Sequence, residues 1–261
     1  MSPRTAEPVR LTPAPGEWLQ GQCFADPGSG GDWLTLFLHG FGSVRWGEKP
    51  QALEAACARR GWPFASFDFR GHGESSGTLR SLRGSRLLAD LETIRTWAET
   101  RGWRRLCLVG SSMGGWAAAW FAMLNPGVVP AVAMIAPGLH FLTARWERMT
   151  PEERAQWERD GVWNFTSHWV QTELEFGLVQ ERDRYDHQRL LMHYVTPTLI
   201  FHGMRDEIVS WERSVAFIRE AACATLELRL FKAGDHRLVE YKDEMAEGAC
   251  RHFERFLGSQ P

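Results

Sequence analysis

The chain is poor in cysteine: its 261 residues hold five, an odd number, with no CxxC pair and no Cys/His cluster. Cys23, Cys57, Cys107, Cys223 and Cys250 lie far apart in sequence, a pattern that gives neither a disulfide framework nor a zinc site. A reducing compartment, the cytoplasm, is expected. Cys57 and Cys107 sit among apolar residues and read as small core hydrophobes. Histidine pairs at i, i+4 with a supporting carboxylate are also missing, so no metal is expected. Long apolar runs are absent. The best two, around Trp116–Leu124 and Val128–Pro137, fall short of the ~18 residues needed to cross a bilayer, so no membrane insertion is expected. Lysine occurs only at 49, 232 and 242 among 30 basic residues, and the arginines are interspersed with 32 acids. A net charge of −2 gives nucleic acid or an anionic membrane surface little to bind. Tyrosine is scarce too, at 3 against 13 tryptophans.

What is present is globular. A hydrophobic fraction of 44% with 24% charged residues excludes a disordered or fibrous chain. The first sixteen residues, with prolines at 3, 8, 13 and 15, contain no apolar run. They read as a flexible tail and not as a signal peptide. Beyond them short apolar runs alternate with longer helical patterns, which predicts a mostly parallel sheet covered on both faces. The expected strands are Trp33–Leu38, Pro63–Phe69, Leu106–Gly110, Val129–Ala136, Thr198–Phe201 and Thr225–Phe231. Met113, Trp116, Ala117, Trp120, Phe121 and Leu124 mark one helix face, stopped by Asn125-Pro126-Gly127. Leu87, Leu91, Ile94 and Ala98 mark a second before Gly102, and Tyr241 to Leu257 a third.

Residues from about 138 to 192 break this rhythm. They contain no convincing strand but hold Trp146, Trp157, Trp163 and Trp169. Thr150-Pro151-Glu152-Glu153 reads as a capping box with proline at the first helical position, and Gly161 ends that helix. The stretch is far longer than the ~2–6 residues of an ordinary connection, so a helical cap inserted between core strands is expected. The whole of 1–261 then makes one domain.

The chemical signal is Gly110-Ser111-Ser112-Met113-Gly114, a G-x-S-x-G placed between an expected strand and helix. A nucleophile on such a turn needs strained backbone and close neighbours two residues away on either side, which glycine permits. The turn lifts the Ser112 hydroxyl to a helix N-terminus, where developing negative charge is favoured. Ser111 lacks the matching glycine pair. Serine needs a base and an orienting acid, and the order Ser, acid, His suits this architecture. Asp206 follows the strand Thr198–Phe201 and His236 follows the strand ending at Phe231, both in loops at strand carboxyl ends, where ligands gather. Glu207 points elsewhere, Asp235 serves the turn, His202 is a packed core residue, and His252 in the last helix is exposed. His140, His168, His187 and His193 lie in or near the cap. An oxyanion wants two donors ~3 Å away. The Met113 amide is one, and the Phe41 amide in His39-Gly40-Phe41-Gly42-Ser43 is the other.

Together with Asp68-Phe69-Arg70-Gly71-His72-Gly73-Glu74-Ser75, a turn read as structural or pocket-edge and not catalytic, these motifs resemble the α/β-hydrolase superfamily over nearly the whole chain. GSSMGGW, MTPEERAQWERDGVW, HGMRDEIVSWE and GDHRL look like its acyl-protein thioesterase and mycophenolic acid acyl-glucuronide esterase branch and bacterial relatives. The resemblance implies hydrolysis of small-molecule acyl esters or thioesters by Ser112, Asp206 and His236, with no cofactor. Serine at the elbow disfavours dehalogenase or epoxide hydrolase chemistry, whose family pattern has Asp there. The same triad also serves C–C bond hydrolases and peptidases; a non-catalytic member of the fold is expected to have lost a triad residue, and none is missing. A Trp-rich cap predicts a largely apolar acyl pocket, with Trp116, Leu139, His140 and some of Trp146, Trp163 and Trp169 as walls. Tryptophans that hold the cap to the core are the competing expectation.

Overall fold

A computed structural model describes residues 4–25, 31–167 and 170–257 of the chain. The described strands are β1 (Glu7–Leu11), β2 (Leu19–Phe24), β3 (Trp33–Leu38), β4 (Phe64–Phe67), β5 (Arg105–Ser111), β6 (Val132–Ile135), β7 (Val162–Thr166), β8 (Gln171–Glu175), β9 (Thr198–Gly203) and β10 (Leu226–Phe231). The α-helices are α1 (Glu48–Ala58), α2 (Gly84–Thr100), α3 (Met113–Leu124), α4 (Ala144–Glu147), α5 (Pro151–Asp160), α6 (Gly177–Gln180), α7 (His187–His193), α8 (Glu212–Glu220) and α9 (Lys242–Leu257).

Eight strands form one sheet in the order β1-β2-β4-β3-β5-β6-β9-β10, parallel from β4 to β10 and antiparallel at β1 and β2. The inner parallel strands β3, β4, β5, β6 and β9 are buried on both faces, which is why they read as largely apolar runs. Leu34, Leu36, Leu38, Leu106 and Leu108 join Leu87, Leu91 and Trp116 in the core under α2 and α3. The alternate residues Phe37, Cys107, Val109 and Ile135 join Leu53, Met245 and Phe253 under α1 and α9. The chain leaves β3 towards β4 and returns to β5 on the other side. This reversal opens a crevice at the carboxyl ends of β3 and β5, where an open α/β sheet binds ligands.

The amino-terminal segment departs from expectation. Glu7–Leu11 is not part of a flexible tail but an edge strand paired with β2. Its only buried side chain is Val9, so it carries no apolar alternation, and Pro8 is tolerated because an edge strand need not donate on its free side. In β2 the inward positions are Leu19, Gly21 and Cys23. Gly21 is required because a Cβ there would overlap the Phe67 ring, and its small size hid the period of two.

The cap departs as well. Its helices α4 to α7 are there, and α5 carries the expected capping box, with Thr150 Oγ1 accepting from the Glu153 amide at 3.2 Å and Glu153 returning to the Thr150 amide at 2.9 Å. Gly161 ends α5 in a left-handed conformation with φ 74°. The next residues are not helical: β7 and β8 pair antiparallel as a separate hairpin. Leu174 is the only fully buried side chain of the pair, so here too alternation is too weak to read from sequence. Trp146, Trp157 and Phe176 pack ring to ring at 5.6–6.3 Å, and the Trp157 indole donates to the Leu174 carbonyl at 3.0 Å. The cap tryptophans are therefore largely its core. Trp169 and His168 lie outside the described residues. His252 is buried, not exposed, because α9 turns it between Phe253 and Phe256.

Candidate active site

The site is assembled at the crevice by three loop–strand junctions. At the end of β5, Ser112 adopts φ 52°, ψ −112°, a conformation costly for any residue with a Cβ. The Ser112 amide donates to the Ile135 carbonyl at 2.9 Å, and its carbonyl accepts from the Gly115 and Gly138 amides, each at 2.9 Å. These bonds tie the turn to β6 and to the segment that opens the cap. A Cβ on Gly110 would overlap the Gly114 carbonyl, and one on Gly114 would overlap the Leu38 carbonyl. Both flanking glycines are thus demanded by backbone contact. Gly114→Ala is expected to lower Tm by several degrees and to remove activity, since backbone cannot yield as a side-chain tip would. Thermal melts read it; an alanine variant as stable as the parent would overturn it.

The three residues singled out from sequence meet here. His236 Nε2 lies 3.1 Å from Ser112 Oγ, and His236 Nδ1 lies 2.7 Å from Asp206 Oδ2. The Asp206 side chain is fully buried and that of His236 is 17% exposed, so solvent reaches the imidazole but not the carboxylate. Asp206 Oδ1 accepts from the Ile208 amide at 2.9 Å and the Val209 amide at 2.8 Å. Burial alone would raise this carboxyl, but bonds from His202, His236 and the Val209 amide prevail and hold it well below the ordinary range. The sequence reading missed what His202 does. It is buried as expected, but its Nε2 lies 3.0 Å from Asp206 Oδ2 while Nδ1 meets Ser214 Oγ at 2.8 Å. The spacing His202-x-x-x-Asp206 was the available signal. Glu207 is exposed, and Asp235 Oδ1 caps its own turn by accepting from the Arg237 and Leu238 amides.

The second junction is the loop after β3. A Cβ on Gly40 would sit 3.4 Å from both the Ser111 carbonyl oxygen and Ser112 Cβ, so this backbone lies against the nucleophile turn. Phe41 is next in the chain, and Met113 opens α3, where the first amides have no intrahelical partner. The Phe41 ring meets Phe165 of β7 at 5.4 Å and Phe141 at 6.1 Å, joining loop to cap.

His39 anchors this loop. Its Nε2 accepts from the Phe69 amide at 3.0 Å and its Nδ1 donates to the Gly40 carbonyl at 2.8 Å, a neutral tautomer. Burial lowers His39 to about 4, and burial with neighbouring His39 lowers His72, 4.8 Å away, to about 3. The unfolded imidazoles take up protons near pH ~6.5. Each pair is neutral when folded, so stability is full above that pH and is lost as pH falls from there towards the folded values. The expected slope is about 1.4 kcal/mol per pH unit per buried histidine at most. Denaturation at pH 7.0, 5.5 and 4.5 reads it, and His72→Phe should flatten the decline; equal stability at all three would refute it.

The Asp68 turn is held by its own polar contacts. Asp68 pairs with Arg45 and accepts from the Arg45 amide at 2.6 Å and the Glu74 amide at 3.0 Å. Of the residues named as pocket walls, Trp116, Leu139 and His140 line a cavity of about 320 Å³. Trp163 does not; it packs at 6.3 Å from Trp157 with Arg145 over its ring. Thr143, Glu147, Arg182, Asp183 and His187 share its lining with Leu142 and Tyr185, so this cavity is mixed in polarity. The His140 and His187 rings stack at 4.0 Å, and burial followed by His187 lowers His140 to about 4. Among the described residues no group of three His, Cys, Asp or Glu side chains is placed to hold a metal ion.

Known proteins resemble this chain in sequence and in fold. The chain is 28% identical over 211 residues to the mouse (Mus musculus) mitochondrial palmitoyl-protein thioesterase ABHD10, covering 80% of this chain and 70% of that protein. The solved mouse ABHD10 structure superposes with a TM-score of 0.81 at 25% identity, covering 96% of this chain and 98% of that one. A putative hydrolase from Agrobacterium vitis S4 (TM-score 0.83, 22% identity, 96% and 99% covered) and Est1E of Butyrivibrio proteoclasticus with ferulic acid bound (0.78, 18%, 96% and 100%) share the fold. A family model described as the alpha/beta hydrolase fold matches residues 36–166, half of the chain, and the chain belongs to that family.

Proposed function

We propose that the chain is a serine hydrolase that cleaves carboxylic esters or thioesters through an acyl-enzyme. The observation that carries this reading is the continuous hydrogen-bonded line Ser112–His236–Asp206 at a strained strand-to-helix turn. In this mechanism His236 Nε2 takes the Ser112 proton as Oγ attacks the acyl carbon, and later returns it to the leaving group. Asp206, ionised and bonded to Nδ1, holds the imidazole tautomer and stabilises the imidazolium. The Phe41 and Met113 amides face the oxyanion, and water then releases the acyl group. The mouse relative named as a palmitoyl-protein thioesterase supports ester or thioester carbonyls as the substrate class. The cavity at Trp116, Leu139 and His140 is the proposed seat of part of the substrate, and its mixed lining favours a portion carrying polar groups beside apolar ones. Five free, buried cysteines support a reducing location, and the cytoplasm is proposed.

A series of p-nitrophenyl esters and acyl thioesters of increasing chain length tests the reaction class. A fluorophosphonate probe, with the labelled peptide identified by mass, tests the nucleophile. Turnover together with labelling at Ser112 is expected. The reading fails if no ester or thioester is turned over, or if the probe leaves Ser112 unmodified.

A further inference from the structure

Beside the nucleophile turn an ammonium group sits where nothing in the mechanism above uses it. Lys49, in the first turn of α1, reaches the carboxyl end of β5, and its Nζ donates to Ser111 Oγ at 2.9 Å. Ser111 is buried, and its side chain shares the sheet face of Val109, two residues earlier. Lys49 lines a small void against α9 together with Phe37, Val109, Ile135, Met245 and a second cation, Lys242. A lysine here pays for desolvation. Burial lowers it to about 8, although Asp235, Glu48 and Asp206 hold the charge in place against Arg237.

The neighbouring turn needs support from both faces. Ser112 is held in a positive-φ conformation, a kind of strain that persists only when the surroundings over-determine it. On one face α3 and the Gly110–Gly114 contact press against it. On the other face Ser111 is the residue that precedes the strain, and its hydroxyl is fixed by a charge-assisted bond from another element, 62 residues away in sequence.

We infer that Lys49 is a positioning residue for the nucleophile, acting through Ser111 Oγ to hold the elbow in its attacking geometry. The inference rests on the serine hydrolase reading and deepens it. Small displacements of a reacting atom are expensive, and a shift of ~1 Å can cost on the order of a hundredfold. Loss of one of several restraints should cost less, about tenfold.

The experiment is a double-mutant cycle on the full chain with a p-nitrophenyl ester, following kcat and KM separately. Lys49→Met keeps the length of the side chain and removes the charge; Ser111→Ala removes the acceptor and stays small enough to fold should the lysine variant fail. Each is expected to lower kcat about tenfold with KM within twofold, and to slow fluorophosphonate labelling of Ser112 to a similar degree. The double variant should lose no more than either single one, because both cut the same link. Single variants with unchanged kcat, a loss confined to KM, or losses that multiply in the double variant would each overturn the inference. An unmodified protein with no turnover and no labelling would instead overturn the serine hydrolase reading, so the two failures are distinct.

Discussion

Ser112→Ala is expected to lower kcat by about five to six orders of magnitude while leaving the fold intact. The size follows from what is removed. Without Oγ there is no acyl-enzyme, and His236 is left with no proton to take. Residual turnover would come from water held over the oxyanion amides, a route that leaves ~10³–10⁴ over the uncatalysed reaction. Alanine at 112 keeps a Cβ in the same strained turn, and the backbone bonds to Ile135, Gly115 and Gly138 do not involve the hydroxyl. Stability should therefore change little, and circular dichroism melts check this beside the kinetics. A variant that retained even one per cent of parental turnover would remove Ser112 from the role of nucleophile.

Asp206→Asn is expected to cost about 10⁴ in kcat and, unlike Ser112→Ala, to cost stability as well. Four donors converge on this carboxylate: His236 Nδ1, His202 Nε2, and the Ile208 and Val209 amides. An amide presents one acceptor oxygen and one NH₂ group. If its oxygen faces the two backbone amides, its NH₂ meets both imidazoles, which favours the wrong His236 tautomer. If it turns over, two backbone N–H groups lose their acceptor at a buried site, each costing about 1–3 kcal/mol. The acid dependence should change in step. The native carboxyl lies well below its ordinary value, so its contribution is complete above pH ~4 and is lost as pH falls below that. In the asparagine variant that contribution is missing, so the stability gap between the two proteins should narrow below pH 4. Urea denaturation at pH 7 and pH 3 measures the gap, and a gap of constant size would show that the carboxylate charge is not what holds the loop.

The two predictions separate chemistry from architecture, and the sequence was legible along the same division. Strands β3, β5 and β9 were visible because burial on both faces makes a parallel strand a continuous apolar run. Strands β1, β2, β7 and β8 were not, since β1 and β8 bury one side chain each and β7 none, and in β2 Gly21 and Cys23 stand where larger residues would have marked the period. His252 read as solvent-exposed because a helix of mixed polarity does not say which neighbour closes over it.

Local chemistry determined the rest. The capping box of α5 and the Gly110–Gly114 contact of the elbow depend on residues a few positions apart, so the sequence alone carried them, and the order Ser112, Asp206, His236 was legible because each residue follows a recognisable strand. Tertiary structure decided whatever depends on elements meeting across long separations. It gave Asp206 a second imidazole in His202, set Lys49 beneath Ser111, and packed Trp146, Trp157 and Trp163 into the cap, leaving the cavity lined by charged and hydrogen-bonding groups. That packing accounts for three of the thirteen tryptophans. A buried indole supplies a large apolar area to a cap with little core of its own, and which rings face each other and not a ligand is fixed only when the chain closes.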